Sequence, residues 1–72
     1  MSEIQAVLFP KAMWSIAKSK KWLKDNLIKP IKSARETVNF YRYRVRDPKL
    51  FNEFITKKLN NGVELVIGIN PT

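Results

Sequence analysis

Hydrophobic and polar positions follow different periods along the chain, and each period predicts a different secondary-structure element. Residues 4–9 (IQAVLF) are mostly apolar and β-prone, which predicts a first strand that Pro10 ends. Further along, Ile16, Leu23 and Leu27 recur near the spacing of a helix. The chain is therefore expected to begin with a strand followed by a helix.

Polar residues and a proline mark the ends of this helix. Ser15 is a suitable N-cap, and Asn26 is a suitable cap at the other end. Pro30 disfavours a helical conformation at Lys29, so the helix must end before that residue. These signals predict a helix over residues 16–26.

The predicted helix has one face for packing and one for solvent. The packing face is apolar or small and consists of Ile16, Ser19, Leu23 and Leu27. The opposite face carries Lys18, Lys21 and Asp25, with Lys24 and Trp22 on its flanks. Trp14 and Trp22 are expected at the edge of the core, and the alternative for either indole ring is stacking on a nucleic-acid base.

Residues 38–46 (VNFYRYRVR) show the clearest strand pattern. Period two places Asn39, Tyr41, Tyr43 and Val45 on one face, and Val38, Phe40, Arg42, Arg44 and Arg46 on the other. The first face can pack against the helix. Buried guanidinium groups without partners would cost too much free energy, so the arginine face is expected to be open.

The segments on either side of this strand carry weaker signals. Residues 29–37 have no strong period, although Ser33 and Glu36 match a capping box and allow at most one helical turn. After the strand, Asp47 and Pro48 have the character of an N-cap and a first helical residue. A short helical turn is therefore expected there.

The last third of the chain predicts a hairpin. EFITKKL and VELVIGI flank Asn60, Asn61 and Gly62, and Asn-Gly is a strong cue for a two-residue turn because both positions tolerate positive φ. The second of these strands is apolar on nearly both faces, so it is expected inside the sheet. Gly68 in that strand leaves room for a bulge or for close approach of the helix.

Taken in order, these elements predict one small basic α+β domain over residues 1–72. The expected architecture is a mainly antiparallel sheet of about four strands with one helix packed on one face (β-α-β-β-β). The second face of this sheet has no helix, so water or a partner must cover it.

Charge adds a functional feature to this fold. The formal net charge is +8, and residues 11–49 hold twelve of the 14 Lys and Arg side chains against three of the six acidic ones. Such a field suits a polyanion, which is nucleic acid, an anionic membrane surface or an acidic protein. The alternative is solubility alone, since net charges of about 2–8 are ordinary for small soluble domains.

Composition argues against catalysis. The chain has no cysteine and no histidine, which excludes disulfides, Cys/His metal sites, Cys nucleophiles and a His general base. The six acidic residues are scattered, and the two glycines form no phosphate-binding loop. We therefore expect a protein that is not an enzyme and that uses no metal, cofactor or small-molecule substrate.

The sequence also predicts an intracellular protein that does not insert into a membrane. No apolar run approaches the ~18–20 residues needed to cross a bilayer. The N-terminus has an acidic residue, Glu3, and only a short apolar stretch, so it is a poor signal peptide.

The arginine face of residues 38–46 carries the main candidate site. Alternate side chains in a strand lie about 6.6 Å apart, close to the separation of successive phosphates on a nucleic-acid strand. Arginine binds phosphate oxygens in two-point geometry, and Phe40 or Tyr41 would add a stacking platform for a base. The alternative is that one or two of these arginines pair with carboxylates such as Glu53 or Glu64 on neighbouring strands. The predicted contacts are Arg42, Arg44 and Arg46.

Lysines on the helix form a second basic surface, which comprises Lys18, Lys20, Lys21 and Lys24. Its simplest interpretation is a solvated face, and the alternatives are contacts with duplex phosphates or anionic lipid. The lipid alternative is weak because the helix is short and the core needs its apolar face. Lys18, Lys21 and Lys24 are predicted to assist the arginines.

Several short motifs occur in a characteristic order, namely Trp14-Ser15, Ser19, Trp22-Leu23, Tyr41-Arg42-Tyr43-Arg44, Asp47-Pro48, Thr56-Lys57-Lys58-Leu59 and residues 62–68 (GVELVIG). Over about residues 4–69 the chain resembles a small domain family of large double-stranded DNA viruses and tailed phages. In such relatives the domain often accompanies phage or virion proteins. The resemblance implies viral or phage origin and no catalytic machinery.

Two functional hypotheses follow. The first is a small non-enzymatic nucleic-acid-binding protein of a virus or phage, largely independent of base sequence, with DNA or RNA and single or double strands left open. The alternative is a minor virion structural or assembly protein, in which the open sheet face and the hairpin edge contact a capsid protein or a second copy in a homodimer. Either protein is expected in the host cytoplasm, nucleus or viral factory, with packaging in the virion as a further expectation.

Overall fold

Within the described part of the chain, five strands and one α-helix build a small α+β fold. The computed structural model describes residues 2–70. Its elements in chain order are β1 (Ser2–Pro10), α1 (Ile16–Asp25), β2 (Arg35–Glu36), β3 (Phe40–Arg44), a 3₁₀ helix (Pro48–Leu50), β4 (Glu53–Lys58) and β5 (Glu64–Ile69). The fold class agrees with the prediction, with one strand more than expected.

The strands form a single antiparallel sheet with β1 at its centre. Their order is β2-β3-β1-β5-β4. β1 suits the central place because Ala6 and Val7, which point to opposite faces, are both fully buried. β5 lies between β1 and β4, which confirms that this strand is internal.

The two faces of the sheet differ in what covers them. Val7 lies opposite Tyr43 and Leu65 on the face that α1 covers, which we call the helix face. The next register position places Leu8, Arg42 and Glu64 on the other side, which we call the open face.

Aromatic packing forms the core of the helix face. The Phe9 ring lies 5.1 Å from the Trp14 ring, 5.7 Å from the Trp22 ring and 5.5 Å from the Tyr43 ring. Such tilted and edge-to-face pairs add to the free energy of simple burial. Both tryptophans are half-buried at the edge of the core, as predicted.

A buried hydrogen bond joins the helix to the sheet. The Ser19 hydroxyl is fully buried and donates to the Ile16 carbonyl at 2.7 Å. Its oxygen also lies 2.7 Å from the Tyr43 hydroxyl. Because a serine hydroxyl has one proton, the tyrosine must be the donor in this second bond. Ser19 is thus both small enough and polar enough for close contact with β3.

The helix begins as predicted but ends in a different backbone conformation. The Ser15 side chain accepts from the Lys18 amide, and Asn26 is the C-cap. Ile28 N–H then donates to Leu23 C=O, and Leu27 has φ of 57°. This is a Schellman ending with leucine where glycine is usual.

Leu27 therefore does not belong to the packing face of the helix, where the sequence pattern had placed it. Its side chain is 92% exposed because the left-handed residue turns the chain out of the helical path. Ile16 is also partly exposed, at 37%, and the packing face rests on Ser19 and Leu23.

The segment before β3 is a strand and not a helical turn. Arg35 and Glu36 pair with Arg42 and Tyr41 across a tight turn in which Thr37 bonds to Phe40. The expected capping box at Ser33 and Glu36 is therefore absent, because the backbone hydrogen bonds of residues 35–36 go to the sheet.

β3 is shorter than predicted at both ends, because residues 37–39 form the turn from β2 and a bulge in β1 lies opposite its other end. The register of β1 shifts between Ile4 and Ala6, which leaves Gln5 as an extra residue. The Val45 and Arg46 amides both donate to Gln5 C=O, and the Gln5 side chain donates to Arg46 C=O at 2.9 Å. The regular ladder stops at Arg44 as a result.

The two remaining turns follow the sequence signals with one change. Asp47 caps the 3₁₀ helix as expected, accepting from the Lys49 amide. In the final hairpin Gly62 N–H donates to Leu59 C=O, and Leu59 N–H donates to Val63 C=O. Only Gly62 has positive φ, at 87°, so this is a longer turn with a glycine bulge and not the two-residue Asn-Gly turn.

Part of the open face is covered by an aromatic ring. Gly68 lies in β5, and a Cβ placed there would overlap Cγ of Phe51. Phe51 is 8% exposed and its ring also contacts that of Phe54. The close neighbour of Gly68 is thus Phe51 and not the helix.

Replacing Leu27 with glycine is expected to stabilise the fold. A left-handed conformation costs an L-residue roughly 1–2 kcal/mol, and glycine avoids most of that cost. Leu27→Gly should raise the free energy of unfolding by about 0.5–1 kcal/mol, measured by urea denaturation. Leu27→Ala is the matched control, since alanine keeps the strain. Equal stability of both variants would contradict the strained-cap explanation.

Gly68→Ala is expected to destabilise the fold by about 1–3 kcal/mol, because the added methyl group overlaps the Phe51 ring. In a Phe51→Ala background the same change should cost clearly less, since the ring is gone. Urea denaturation of the four proteins gives this double-mutant cycle. Additive effects of the two substitutions would argue against the contact.

Candidate nucleic-acid interface

β3 directs its arginines and its tyrosines to opposite faces, as predicted. Tyr43 is 1% exposed and bonds to Ser19 of the helix. Alternation along the strand then places Arg42 and Arg44 on the open face, opposite Leu8 and Ala6 of β1. Neither arginine forms an ion pair with any residue in the described range 2–70.

A third arginine joins them from β2. Arg35 lies directly opposite Arg42 in the register. Like charges in such a position repel each other, so this pair costs stability in the absence of an anion. Sequence reasoning missed Arg35 because a two-residue strand is too short to show a period. The turn-forming Thr37 and Asn39 between it and β3 were the only available signal.

These three arginines line a polar groove of about 470 Å³ on the open face. Its lining residues are Lys32, Ser33, Arg35, Thr37, Arg42 and Arg44. Arg42 is half-buried and its Nη2 lies 3.4 Å from Gln5 Oε1, a long contact that leaves most of the guanidinium donors free for a ligand. We call this the arginine groove.

A second groove adjoins it at the end of α1. Its volume is about 840 Å³, and it shares Lys32, Ser33 and the β3 strand with the arginine groove. Its apolar lining consists of Leu23, Leu27, Ile28, Pro30, Ile31 and Tyr43. Its charged lining consists of Lys20, Lys24, Lys29 and Lys32. We call this the lysine groove.

Arg46 does not extend the arginine row, which corrects the three-residue ladder predicted from sequence. β3 ends at Arg44, and Arg46 Nη2 lies 3.6 Å from Glu3 Oε1. One of the three arginines thus pairs with a carboxylate, as the alternative interpretation expected. Its partner is Glu3 and not Glu53 or Glu64. Two arginines at alternate positions of β3 remain.

The two predicted stacking residues lie in different places. Tyr41 lies on the helix face, where Lys11 Nζ is 5.4 Å above its ring and 3.0 Å from Glu36. Phe40 is half-buried at the start of β3, opposite Pro10 and on the arginine side. Only Phe40 therefore shares a face with Arg42.

The helix lysines divide between local partners and the lysine groove. Lys18 Nζ lies 5.9 Å from the Trp14 ring, and Lys21 Nζ lies 2.9 Å from Asp25. Lys24 lines the lysine groove. The helix covers the face opposite the arginines, so its lysines meet them only around the β2 edge of the sheet, through Lys32.

Two other kinds of site are absent from the described part of the chain. Residues 2–70 hold no group of three or more His, Cys, Asp or Glu side chains placed to bind a metal ion. Within the same range no helix has both the length and the apolar character needed to span a membrane.

No family model, curated protein or solved structure matches this chain. The resemblance to viral and phage domains therefore stays a prediction from the motifs quoted above. Function has to be inferred from the side chains of the two grooves.

Repulsion within the arginine groove should make the fold sensitive to salt. Arg35→Gln removes the charge opposite Arg42 and is expected to raise the free energy of unfolding by about 0.2–1 kcal/mol at low ionic strength. The gain should shrink in 0.5 M NaCl because salt screens the repulsion. Lys49→Gln, at an exposed position outside both grooves, is the control with the same change in charge. An equal gain in both variants would point to net charge alone.

Proposed function

We propose that this protein binds nucleic acid through the arginine and lysine grooves, without catalysis and largely without regard to base sequence. One observation carries the proposal: among the described residues, two adjoining grooves are lined by seven cations and by no carboxylate. The seven are Lys20, Lys24, Lys29, Lys32, Arg35, Arg42 and Arg44.

The arginine groove suits phosphate groups. Arg42 and Arg44 project from one face of a strand about 6.6 Å apart, and Arg35 lies beside Arg42 on the neighbouring strand. Guanidinium groups bind phosphate oxygens through two parallel hydrogen bonds. An anion bound here also relieves the repulsion between the paired arginines, so part of the cost of assembling the site is recovered on binding.

The lysine groove suits the less polar parts of a nucleotide. Its apolar lining can receive a base or sugar, while its lysines contact the phosphates. A single strand exposes its bases for such contacts, whereas a duplex keeps them stacked. The arrangement therefore favours single-stranded nucleic acid that passes from one groove to the other around the β2 edge.

Viral or phage origin is part of the proposal and rests on the motif resemblance. A small basic protein of this kind would act in the host cell, where the genome is replicated or packaged. The same polyanion surface supports the alternative role of a minor virion or assembly protein, with an acidic partner in place of nucleic acid.

The proposal predicts strong salt dependence of oligonucleotide binding. If about four to six phosphates are neutralised, log K should fall with log salt at a slope of about −3 to −5. Fluorescence anisotropy of labelled single-stranded and duplex oligonucleotides at several salt concentrations measures this slope. Arg42→Gln/Arg44→Gln should weaken binding to the single strand and make its slope shallower by about 1.4, which corresponds to two lost contacts.

Lys49→Gln/Lys58→Gln is the matched control, because it removes the same charge from exposed positions outside both grooves. This variant should keep the slope of the unmodified protein. Equal effects of the two double variants would show that only net charge matters and would overturn the proposed site. Absence of binding at 50 mM salt, together with co-purification of the protein with viral particles, would favour the assembly role.

A further inference from the structure

The edge strand β4 lies at the opposite end of the sheet from the two grooves. It is the last strand in the order β2-β3-β1-β5-β4, and all six of its residues are exposed. Among residues 2–70, no strand pairs with its outer edge. An edge of this kind presents backbone donors and acceptors that another strand can use.

The hydrogen bonds of the hairpin show which groups point outward. Leu59 N–H donates to Val63 C=O, so Leu59 faces β5. In an antiparallel ladder inward and outward residues alternate, which directs the amides and carbonyls of Phe54, Thr56 and Lys58 to the open edge. Outward backbone groups at Phe54 and Thr56 are enough to form a short intermolecular ladder.

Apolar side chains are exposed on both faces of this strand. Ile55 is 53% exposed on the helix face, because the core beneath α1 includes no residue of β4. Phe54 is 44% exposed on the open face. Natural edge strands are usually protected by charge, and here Lys57 and Lys58 supply positive charge while Glu53 supplies negative charge at the other end.

We propose that two copies of this protein pair through antiparallel β4 strands, about a two-fold axis that passes through Ile55 normal to the sheet. This axis keeps the helix faces of both copies on the same side of the joined sheet. Glu53 of each copy then lies opposite Lys57 of the other copy. The two Ile55 side chains meet between these ion pairs, and Phe54 lies opposite Thr56.

The charge pattern selects this register over its neighbour. If the axis passed through Thr56 instead, Ile55 would face Lys57 and Phe54 would face Lys58. Glu53 would then face Leu59, so no opposite charges would meet. Cross-strand pairs of opposite charge and of apolar residues stabilise a sheet, whereas the second register provides neither.

A second copy of the chain is the partner because the segment is complementary to itself. Glu53, Ile55 and Lys57 lie on one face at alternate positions, so reversing the strand places each charge opposite its counterion. The contact is small compared with stable dimer interfaces, so we expect reversible association in the micromolar range or weaker. The grooves are at the other end of the sheet, so this proposal does not rest on nucleic-acid binding.

Charge reversal provides the test, with analytical ultracentrifugation of nuclease-treated protein as the measurement. Glu53→Lys and Lys57→Glu each place like charges opposite one another in the dimer, and each should raise the dissociation constant about tenfold or more. An equimolar mixture of these two variants should restore association, because position 53 of each chain again carries the charge opposite to that at position 57 of the other. The double variant Glu53→Lys/Lys57→Glu should also dimerise by itself.

Lys49→Glu is the control for Lys57→Glu, since it makes the same change in net charge outside β4 and should leave association unchanged. Far-UV circular dichroism checks that each variant is folded. A protein that stays monomeric up to millimolar concentration would overturn the proposal. So would a dimer that tolerates both single reversals, or a mixture of the two reversed chains that stays monomeric although each chain is folded.

Discussion

The buried contact between Ser19 of α1 and Tyr43 of β3 is the constraint on which the arrangement of the grooves depends. Tyr43 is buried on the helix face and donates a hydrogen bond to the Ser19 hydroxyl, which holds this face of β3 against the helix. Because side chains alternate along a strand, Arg42 and Arg44 must then lie on the other face. A contact in the core thereby determines which face of the sheet carries Arg42 and Arg44.

The distribution of carboxylates complements this placement. Three acidic residues pair with basic residues that lie outside the two grooves, in the ion pairs Lys11–Glu36, Lys21–Asp25 and Arg46–Glu3. Exposed pairs of this kind contribute little to stability, about 0–1 kcal/mol each. Their larger effect is electrostatic, since they neutralise cations elsewhere and leave the seven cations of the two grooves without carboxylate partners among the described residues.

Much of this fold follows from local sequence signals, and the differences arise where long-range contacts decide the outcome. Ser15, Asp47 and the alternation of β3 were sufficient to place the helix start, the 3₁₀ helix and the arginine face. The loss of Arg46 from the row could not be foreseen, because Gln5 ends β3 from a strand some forty residues earlier in the chain. Arg35 belongs to the site through a two-residue strand, which is too short to show a period. The lysine groove arises from the path that residues 28–33 take after Leu27, whose backbone is left-handed.

The bulge at Gln5 has a consequence for how this chain can vary in length. Ile4 and Ala6 pair with consecutive residues of β5, so the pairing of β1 with β5 passes over Gln5. Gln5 instead serves the other side, where its carbonyl and side chain hold residues 45 and 46. Deletion of this residue would leave the β1, β5 and β4 part of the sheet in register and release only the end of β3. The sheet thus consists of two parts whose alignments to the central strand are set separately, and insertions or deletions in one part need not disturb the other.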